Sequence, residues 1–450
     1  MTDGVENIGR KDVVWSYIAT AFTIGAGVIL LPFILHTLPA PAVGLWTVFQ
    51  TVNMLTILLD FGFSPSFARN ITYIFSGVRH LKAEGIDHNS LSNSVDYQLL
   101  SDTICAMRRF YRIMALALLA LLFIAGTPYF FHIIDGYEGS RTDAIAAWFI
   151  LVAVNFYNLY TMYYDALLSG KGYVKRSKQI IMTGQAVYLL IAIIALYCGG
   201  GLTAIVSAQL ASFLIRRFMS YRVFFTHEMR SLLPEADKNA GREVFNAILP
   251  NAVKTGLTQL GGFAVNRASV LIAPIYVGLT DVAAFGITMQ VLDILGGLGT
   301  VYYQANTPKI AQLRTNGDIR QVGRLFWQAE GMLILTMFVG GITFLAFGNW
   351  ALQLIGSDTQ FLPAQMMATM IAIAWLEKNH AVAAGFIQAK NEIPFFIPSL
   401  LSGGATIILL WLMLSPLGMG LWGMILAPGL AQIVYQNWKW PSVVIKEIRR

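Results

Sequence analysis

Apolar runs long enough to cross a lipid bilayer recur along the chain, separated by short polar segments. A membrane-spanning helix needs roughly 20 apolar residues. Such runs lie near residues 14–38, 41–68, 110–134, 143–168, 179–198, 202–224, 246–274, 279–303, 324–347, 362–388, 394–415 and 418–438. The first run is too long for a signal-peptide core, so we expect it to be a retained helix. The pattern predicts an all-α polytopic membrane protein with about 12 transmembrane helices.

Basic residues indicate which loops face the cytoplasm. Of the 31 Lys and Arg residues, Arg141 alone falls in an odd-numbered loop, and Lys254, Arg267 and Lys378 lie inside predicted spans. The others lie at the two termini, in the even-numbered loops or at the helix ends beside them. Because positive residues stay on the cytoplasmic side, we expect both termini to be cytoplasmic. The outside loops are too short to form a folded external domain.

The two halves of the chain resemble each other. The stretch "GLWTVFQTVNML" (44–55) aligns with "AFGITMQVLDIL" (284–295) at an offset of 240 residues. Later the offset becomes 219, where "ALLSGKG" (166–172) aligns with "GFIQAKN" (385–391). One insertion between helices two and three explains the change. Six helices per half give both halves the same orientation, with a central cleft between two bundles, as in transporters.

This repeat predicts the domain organisation. Residues 1–225 form an N-terminal six-helix bundle with a longer cytoplasmic loop at 76–109, residues 226–245 a cytoplasmic linker, and residues 246–450 a C-terminal six-helix bundle. Both bundles belong to the same membrane protein chain.

Composition excludes several classes of function. The chain is 56% hydrophobic and 12% charged, about half the charge of a soluble domain. The net charge of +7 follows from the cytoplasmic loops and favours anionic lipid, so we expect membrane lipids and no nucleic acid as partners. Phosphate-loop spacing, metal-ligand spacing among the six His residues and paired catalytic carboxylates are absent from the sequence. We therefore expect neither an enzyme nor a bound cofactor or metal.

Charges inside the spans are the candidate functional residues. Arg267 lies about 20 residues into helix seven, beyond reach of the cytoplasmic surface. It either reaches the outer headgroups as an anchor or faces the cleft as a cation for an anionic substrate. Gln259 lies within about 80° of the same helix face. Lys254 is a second substrate-binding candidate, or a cytoplasmic anchor if the helix begins near Pro250.

Helix ten carries four consecutive polar residues near mid-span: Glu377, Lys378, Asn379 and His380. They cannot share one helix face, so at least one must contact another helix. Glu377 either pairs locally, for example with Lys378, or lines a wet cavity in which Glu377 or His380 exchanges protons. Lys378 is a further substrate-binding candidate. Asp293 and Glu330 on helices eight and nine are further candidates for pairing the buried cations and for ion or proton coupling.

Two stretches resemble a known family. They are "PAVGLWTVFQTVNMLTILLDFGFSPSFARNI" (41–71) and "VNRASVLIAPIYVGLTDVAAFGITMQ" (265–290). They are similar to the polysaccharide-transporter branch of the multidrug/oligosaccharidyl-lipid/polysaccharide (MOP) exporter superfamily, the Wzx-like O-antigen flippases with a MATE-like fold. An Asp-Arg pair is common in that family where this sequence has Asn266 and Arg267.

The resemblance implies a substrate and a location. The substrate would be an O-antigen, capsular or exopolysaccharide repeat unit on a polyprenyl diphosphate. It would be moved to the outer leaflet of a bacterial cytoplasmic membrane by alternating access, coupled to an ion gradient. A polysaccharide polymerase and glycosyltransferases would be partners in lipopolysaccharide or related polysaccharide biosynthesis.

Two other functions stay open at the sequence level. A MATE-type cation or drug exporter needs an acidic, aromatic cavity, and Glu330, Glu377 and Asp293 supply acids. A membrane glycosyltransferase or polymerase generally needs a large external loop, which the short outside loops do not provide.

Overall fold

The computed structural model describes residues 10–79, 94–315, 317–390 and 394–449. The described chain is built from α-helices joined by short turns. The helices are α1 Arg10–Thr37, α2 Ala40–Leu59, α3 Phe63–Phe75, α4 Tyr97–Leu121, α5 Thr127–Ile133, α6 Arg141–Tyr160, α7 Tyr163–Gly170, α8 Val174–Tyr197, α9 Gly201–Phe224, α10 His227–Leu232, α11 Lys238–Ile272, α12 Leu279–Thr315, α13 Ile319–Ile355, α14 Ala364–Gln388, α15 Phe396–Leu414, α16 Leu421–Ile433 and α17 Gln436–Ile448.

Within the described residues, nine helical runs are long and apolar enough to cross a membrane. Large apolar side chains on their surfaces are exposed, among them Ile194, Phe338 and Leu401, as expected for side chains that face lipid. The prediction of an all-α polytopic membrane protein is confirmed. The total of twelve spans and the cytoplasmic termini stay predictions.

Three predicted spans, 246–274, 362–388 and 418–438, are helical but are not among the nine. They fall on α11, α14 and α16. The polar residues 377–380 lower the hydropathy of α14, and α16 has only 13 residues. A helix of that length spans about 20 Å, less than the roughly 30 Å hydrocarbon thickness.

The chain divides into two compact units. The first comprises residues 1–37 and 52–256, and the second residues 38–51 and 257–450. The divisions fall at the end of α1, within α2 and within α11. The predicted domain boundary at 226–245 stays a prediction; its described residues include α10 and the beginning of α11.

The helices of the two halves follow the offsets seen in the sequence. Shifted by 240 residues, α2 and α3 together would cover 280–315, and α12 occupies Leu279–Thr315. The following helical run, Tyr97–Ile133, has 37 residues, as does α13. Between these pairs, residues 76–96 separate α3 from α4 in the sequence of the first half, whereas only residues 316–318 separate α12 from α13 in the second. The predicted insertion therefore lies between helices two and three.

The predicted span 41–68 is interrupted in the structure. Phe61 and Gly62 adopt left-handed backbone conformations, with φ of 49° and 71°, and end α2. The Asp60 carboxylate then accepts the backbone N–H of Ser64 at 3.2 Å and stabilises the beginning of α3, since free N–H groups at a helix N-terminus favour an acidic acceptor. The helix break comes from local backbone and cap chemistry, which a hydropathy pattern does not detect.

A π-helical turn, Leu122–Gly126, joins α4 to α5. Pro128 has no N–H to donate, which disturbs the helical hydrogen-bond register. The Thr127 hydroxyl donates to the Leu122 carbonyl at 3.0 Å and accepts from the Trp148 indole at 3.1 Å. The widened turn is thus held by side chains and continues the span.

Candidate functional site

In the second unit, two basic side chains from predicted membrane spans approach one carboxylate. Arg267 on α11 donates from Nη2 to Oδ2 of Asp293 on α12 at 2.7 Å. Lys378 on α14 places Nζ 3.9 Å from Oδ1 of the same carboxylate. We call Arg267, Asp293, Glu377 and Lys378 the charge cluster. Its members come from three helices, so tertiary packing creates the cluster.

The charge cluster is partly exposed. The side chain of Arg267 is 17% exposed and that of Asp293 is 41% exposed. An ionised carboxylate facing hydrocarbon costs several kcal/mol, so membrane carboxylates face a bundle interior or a water-filled cavity. The exposed Asp293 therefore marks the wet side of this cluster.

Lys378 also lies beside Glu377, its chain neighbour, with Nζ 3.8 Å from Oε1. Local pairing of these two residues was one of the alternatives from the sequence, and the structure shows it together with the approach to Asp293. The cluster thus contains two cations and two carboxylates.

Glycine at position 296 creates room for the lysine side chain. A Cβ added at Gly296 of α12 would lie 2.7 Å from Cε of Lys378, closer than real Cβ contacts allow. The glycine therefore permits the aliphatic part of Lys378 to cross α12 beside Asp293. A side chain here would displace the lysine.

Glu330 does not contact a cation among the described residues. It is 3% exposed, and its Oε2 accepts the amide of Asn379 at 2.7 Å. Oε1 is buried without a hydrogen-bond partner in the described part of the chain. The structure therefore separates Glu330 from the charge cluster, whereas it places Asp293 within it.

His380 contacts a different helix from its neighbours. Its Nδ1 lies 2.9 Å from Oδ1 of Asn437 on α17. Lys378, Asn379 and His380 of α14 thus contact α12, α13 and α17 in turn, as expected from the 100° rotation per helical residue. His380 is not brought to Asp293 or Arg267.

Two predicted residues do not join the charge cluster. Gln259 is exposed on α11 and has no hydrogen bond to a described residue of the cluster. Lys254 belongs to α11, but its side chain lies outside the described residues. Asn266, at the position where the similar family often has an acid, donates to the Gly262 carbonyl of its own helix at 3.0 Å.

The first unit contains a buried ion pair that the sequence analysis missed. Arg217 is 3% exposed and donates to Asp165 Oδ1 at 2.7 Å and to Asn158 Oδ1 at 3.1 Å. From its place near the end of the predicted span 202–224, Arg217 is expected among the cytoplasmic basic residues. Asp165, an acid inside the predicted span 143–168, was the available signal.

The same unit holds an interhelical network of amides. Asn155 accepts the Thr56 hydroxyl at 2.7 Å and donates to Asn53 at 2.9 Å. Asn53 in turn donates to Gln209 at 3.3 Å. Polar bonds between membrane helices are worth about 0.6–2 kcal/mol each, so this network stabilises the packing of α2, α6 and α9.

Comparison with solved structures identifies the fold. The chain is similar to an inward-facing multidrug-resistance MATE transporter of the MOP superfamily, with a TM-score of 0.64 at 16% identity over 96% of this chain and 95% of that one. It is similar to the lipid II flippase MurJ in an inward closed conformation, with a TM-score of 0.63 at 13% identity over 97% and 89%.

A third similar structure is a MOP-superfamily transporter from Pyrococcus furiosus Vc1 (DSM3638) described as having a binding pocket of reverse polarity, with a TM-score of 0.53 at 16% identity over 98% and 97%. Protein-family models and curated protein sequences give no match. The chain therefore has the fold shared by MATE transporters and MurJ.

Proposed function

We propose that the protein is a flippase that moves a polyprenyl-diphosphate-linked oligosaccharide across the bacterial cytoplasmic membrane. The observation that carries this proposal is the convergence of Arg267 and Lys378 on Asp293. The fold likeness to the lipid II flippase MurJ supports a lipid-linked passenger. The similar MATE transporter leaves drug or cation export as the rival, and the assay below discriminates between the two.

A diphosphate headgroup needs compensating charge to cross about 30 Å of hydrocarbon. The Arg267 guanidinium forms paired hydrogen bonds with phosphate oxygens, and Lys378 adds a point charge beside it. The polyprenyl tail stays in lipid while the headgroup passes. Arg267 and Lys378 thus bind the diphosphate headgroup, which the hydrocarbon of the membrane excludes.

The carboxylates give the charge cluster a way to release or accept its passenger. With both carboxylates ionised, two cations and two anions balance. Protonation of Asp293 or Glu377 removes one negative charge and leaves a positive site for the diphosphate. In this proposal proton binding and diphosphate binding favour each other, so the affinity of the charge cluster for its passenger rises when a carboxylate is protonated.

The identity of the sugar and of the protein partners is inferred from the family resemblance. The passenger is an O-antigen, capsular or exopolysaccharide repeat unit. The biosynthetic steps on either side of transport are carried out by a polysaccharide polymerase and glycosyltransferases.

The test is side-resolved transport in proteoliposomes. A fluorescent polyprenyl-diphosphate oligosaccharide is placed in one leaflet, and its appearance in the other is followed with an impermeant quencher. Efflux of a cationic dye runs in parallel on the same vesicles. We expect lipid movement above that of protein-free vesicles and no dye efflux. Dye efflux without lipid movement would establish a drug exporter instead.

A further inference from the structure

A large cavity in the first unit lies apart from the charge cluster. It has a volume of about 1580 Å³ and is lined by α4, by the turn after α2, and by the segment from α9 to α11. Four arginines line it: Arg108, Arg109, Arg112 and Arg230. Among the described residues that line it there is no aspartate or glutamate. The cavity is therefore a concentrated positive site.

Two of the arginines are held in place by aromatic rings. The Arg108 guanidinium carbon lies 5.6 Å from the ring centre of Tyr163 and 5.4 Å from that of Phe225. Arg230 lies 5.1 Å over Tyr221 and donates from Nε to the Phe225 carbonyl at 3.0 Å. These contacts fix the two guanidiniums and leave their charge uncompensated by any described carboxylate.

Two acids that adjoin lining residues in the sequence, Asp60 and Asp102, are engaged elsewhere. Asp60 accepts the Tyr111 hydroxyl at 2.6 Å, and Asp102 accepts the backbone N–H of Asp237 at 2.7 Å. Arg109 and Arg112 are exposed and make no ion pair with a described residue. Their guanidiniums are available to a ligand from solvent or from the membrane.

The rest of the cavity wall is apolar. Phe63 stacks on Phe245 with ring centres 5.5 Å apart, and Phe110 lies 4.0 Å from Phe63. Beyond the arginines, α4 and the π-helical turn that follows it carry exposed apolar side chains, among them Ile113, Leu116, Leu121 and Ile124. From Arg112 to Ile124 this segment extends about 18 Å along the helix. Cations at one end and exposed apolar side chains at the other match an amphiphile.

We propose that this cavity binds a membrane lipid whose headgroup carries two phosphates. Four guanidiniums that share the cavity with no described carboxylate exceed what a single phosphodiester neutralises, and paired N–H donors suit phosphate oxygens. The apolar tail lies along the exposed apolar side chains of α4. A polyprenyl diphosphate and a two-phosphate phospholipid share this chemistry. The binding stands whether or not the protein transports the lipid.

The two natural cysteines supply the test. Cys105 lines the cavity, whereas Cys198 is exposed at the end of α8. The purified full-length protein is alkylated with a maleimide, and the rate at each cysteine is measured by peptide mass spectrometry. The probes are undecaprenyl diphosphate, cardiolipin, phosphatidylethanolamine and inorganic diphosphate.

We expect undecaprenyl diphosphate or cardiolipin to slow Cys105 alkylation about tenfold at ten times the Kd, with Cys198 unchanged. The lipid that slows Cys105 alkylation shows whether the two phosphates come from a polyprenyl diphosphate or from a phospholipid. Native mass spectrometry counts the bound lipid independently. Equal protection by phosphatidylethanolamine or by inorganic diphosphate would overturn the proposal, as would a protein with no bound lipid and no protection.

Matched variants isolate the arginines. Arg109→Gln with Arg112→Gln should raise the Kd about tenfold or more, because a hydrogen bond to a charged group contributes about 1.5–3 kcal/mol. The control, Arg320→Gln with Arg324→Gln, removes two exposed arginines from α13 and should leave the Kd unchanged. Equal binding by both double variants would contradict the assignment.

Discussion

At the scale of single residues, Asp293 is the carboxylate on which the membrane cations of the second unit converge. Its removal leaves Arg267 and Lys378 without their shared acid. Two like charges then repel each other, and each loses a charged partner. The arrangement predicts a larger effect of changing Asp293 than of changing Glu377, which forms an ion pair with one described residue, Lys378, at 3.8 Å.

Asp293→Asn should therefore lower the free energy of unfolding by about 1–2 kcal/mol, between the values for exposed and fully buried pairs. Glu377→Gln, the matched control, should change it by less than half as much. Thermal unfolding of the purified variants in detergent measures both. A larger loss for Glu377→Gln would show that Asp293 is not the centre of the cluster.

Glu447 on α17 provides a pH-dependent contact outside the membrane spans. It accepts Arg314 at 2.5 Å and also contacts Lys390. Burial raises the pKa of Glu447, but the hydrogen bonds from Lys390 and Arg314 outweigh it and lower the pKa below the ordinary value. A depressed folded-state pKa stabilises the protein above the unfolded-state pKa, and that stability is lost as the pH falls through the folded-state value.

At pH 7, Glu447→Gln should reduce the free energy of unfolding by about 1.5–3 kcal/mol, the range for hydrogen bonds to charged groups. The difference from wild type should shrink as the pH falls below about 4. Unfolding midpoints between pH 7 and pH 3 test this. Glu138→Gln, at an exposed site, is the control. A pH-independent difference would exclude the ion pairs as its cause.

At the scale of helices, the break after α2 depends on backbone conformation. Gly62 has a φ of 71°, where a Cβ costs about 1–2 kcal/mol. Gly62→Ala should lower the free energy of unfolding by about that amount, as measured by thermal unfolding. Gly136→Ala is the control, because its added Cβ meets no atom within 4 Å and its φ is not positive. Equal stability of the two variants would mean that the left-handed turn is not required.

Hydropathy predicted the helices and their class, but not their full length. The predicted spans 279–303 and 324–347 lie within α12 and α13, each of 37 residues. The helices continue beyond the apolar window into polar residues, and Asp318 caps the start of α13 by accepting the Gln321 N–H at 3.0 Å. A membrane window detects the apolar part alone.

The sequence identified the charged residues inside the spans better than it predicted which of them pair between helices. Arg267 and Asp293 were both recognisable as charges inside spans, but they lie 26 residues apart on different helices. Glu330 is also an acid inside a predicted span, but it accepts a hydrogen bond from Asn379 instead of pairing with Arg267. The difference is one of helix rotation and packing, which composition and periodicity leave undetermined.

At the scale of the whole molecule, the predicted orientation places the two cysteines on opposite sides of the membrane. Cys198 falls in an odd-numbered, outside loop, and Cys105 near the cytoplasmic end of helix three. A membrane-impermeant maleimide applied to intact cells should label Cys198 and spare Cys105. Permeabilised cells, the control, should show labelling of both. Labelling of Cys105 alone in intact cells would reverse the topology.

The central claim is that the membrane cations carry an anionic lipid passenger. The most direct measurement is the rate of polyprenyl-diphosphate oligosaccharide flipping in proteoliposomes for wild type, Arg267→Ala and Lys378→Ala, with Arg320→Ala as the exposed control. We predict at least a tenfold lower rate for Arg267→Ala, about 1.4 kcal/mol or more, a smaller loss for Lys378→Ala, and none for the control. Wild-type flipping by the Arg267→Ala and Lys378→Ala proteins would contradict the account and reduce both cations to structural ion pairs.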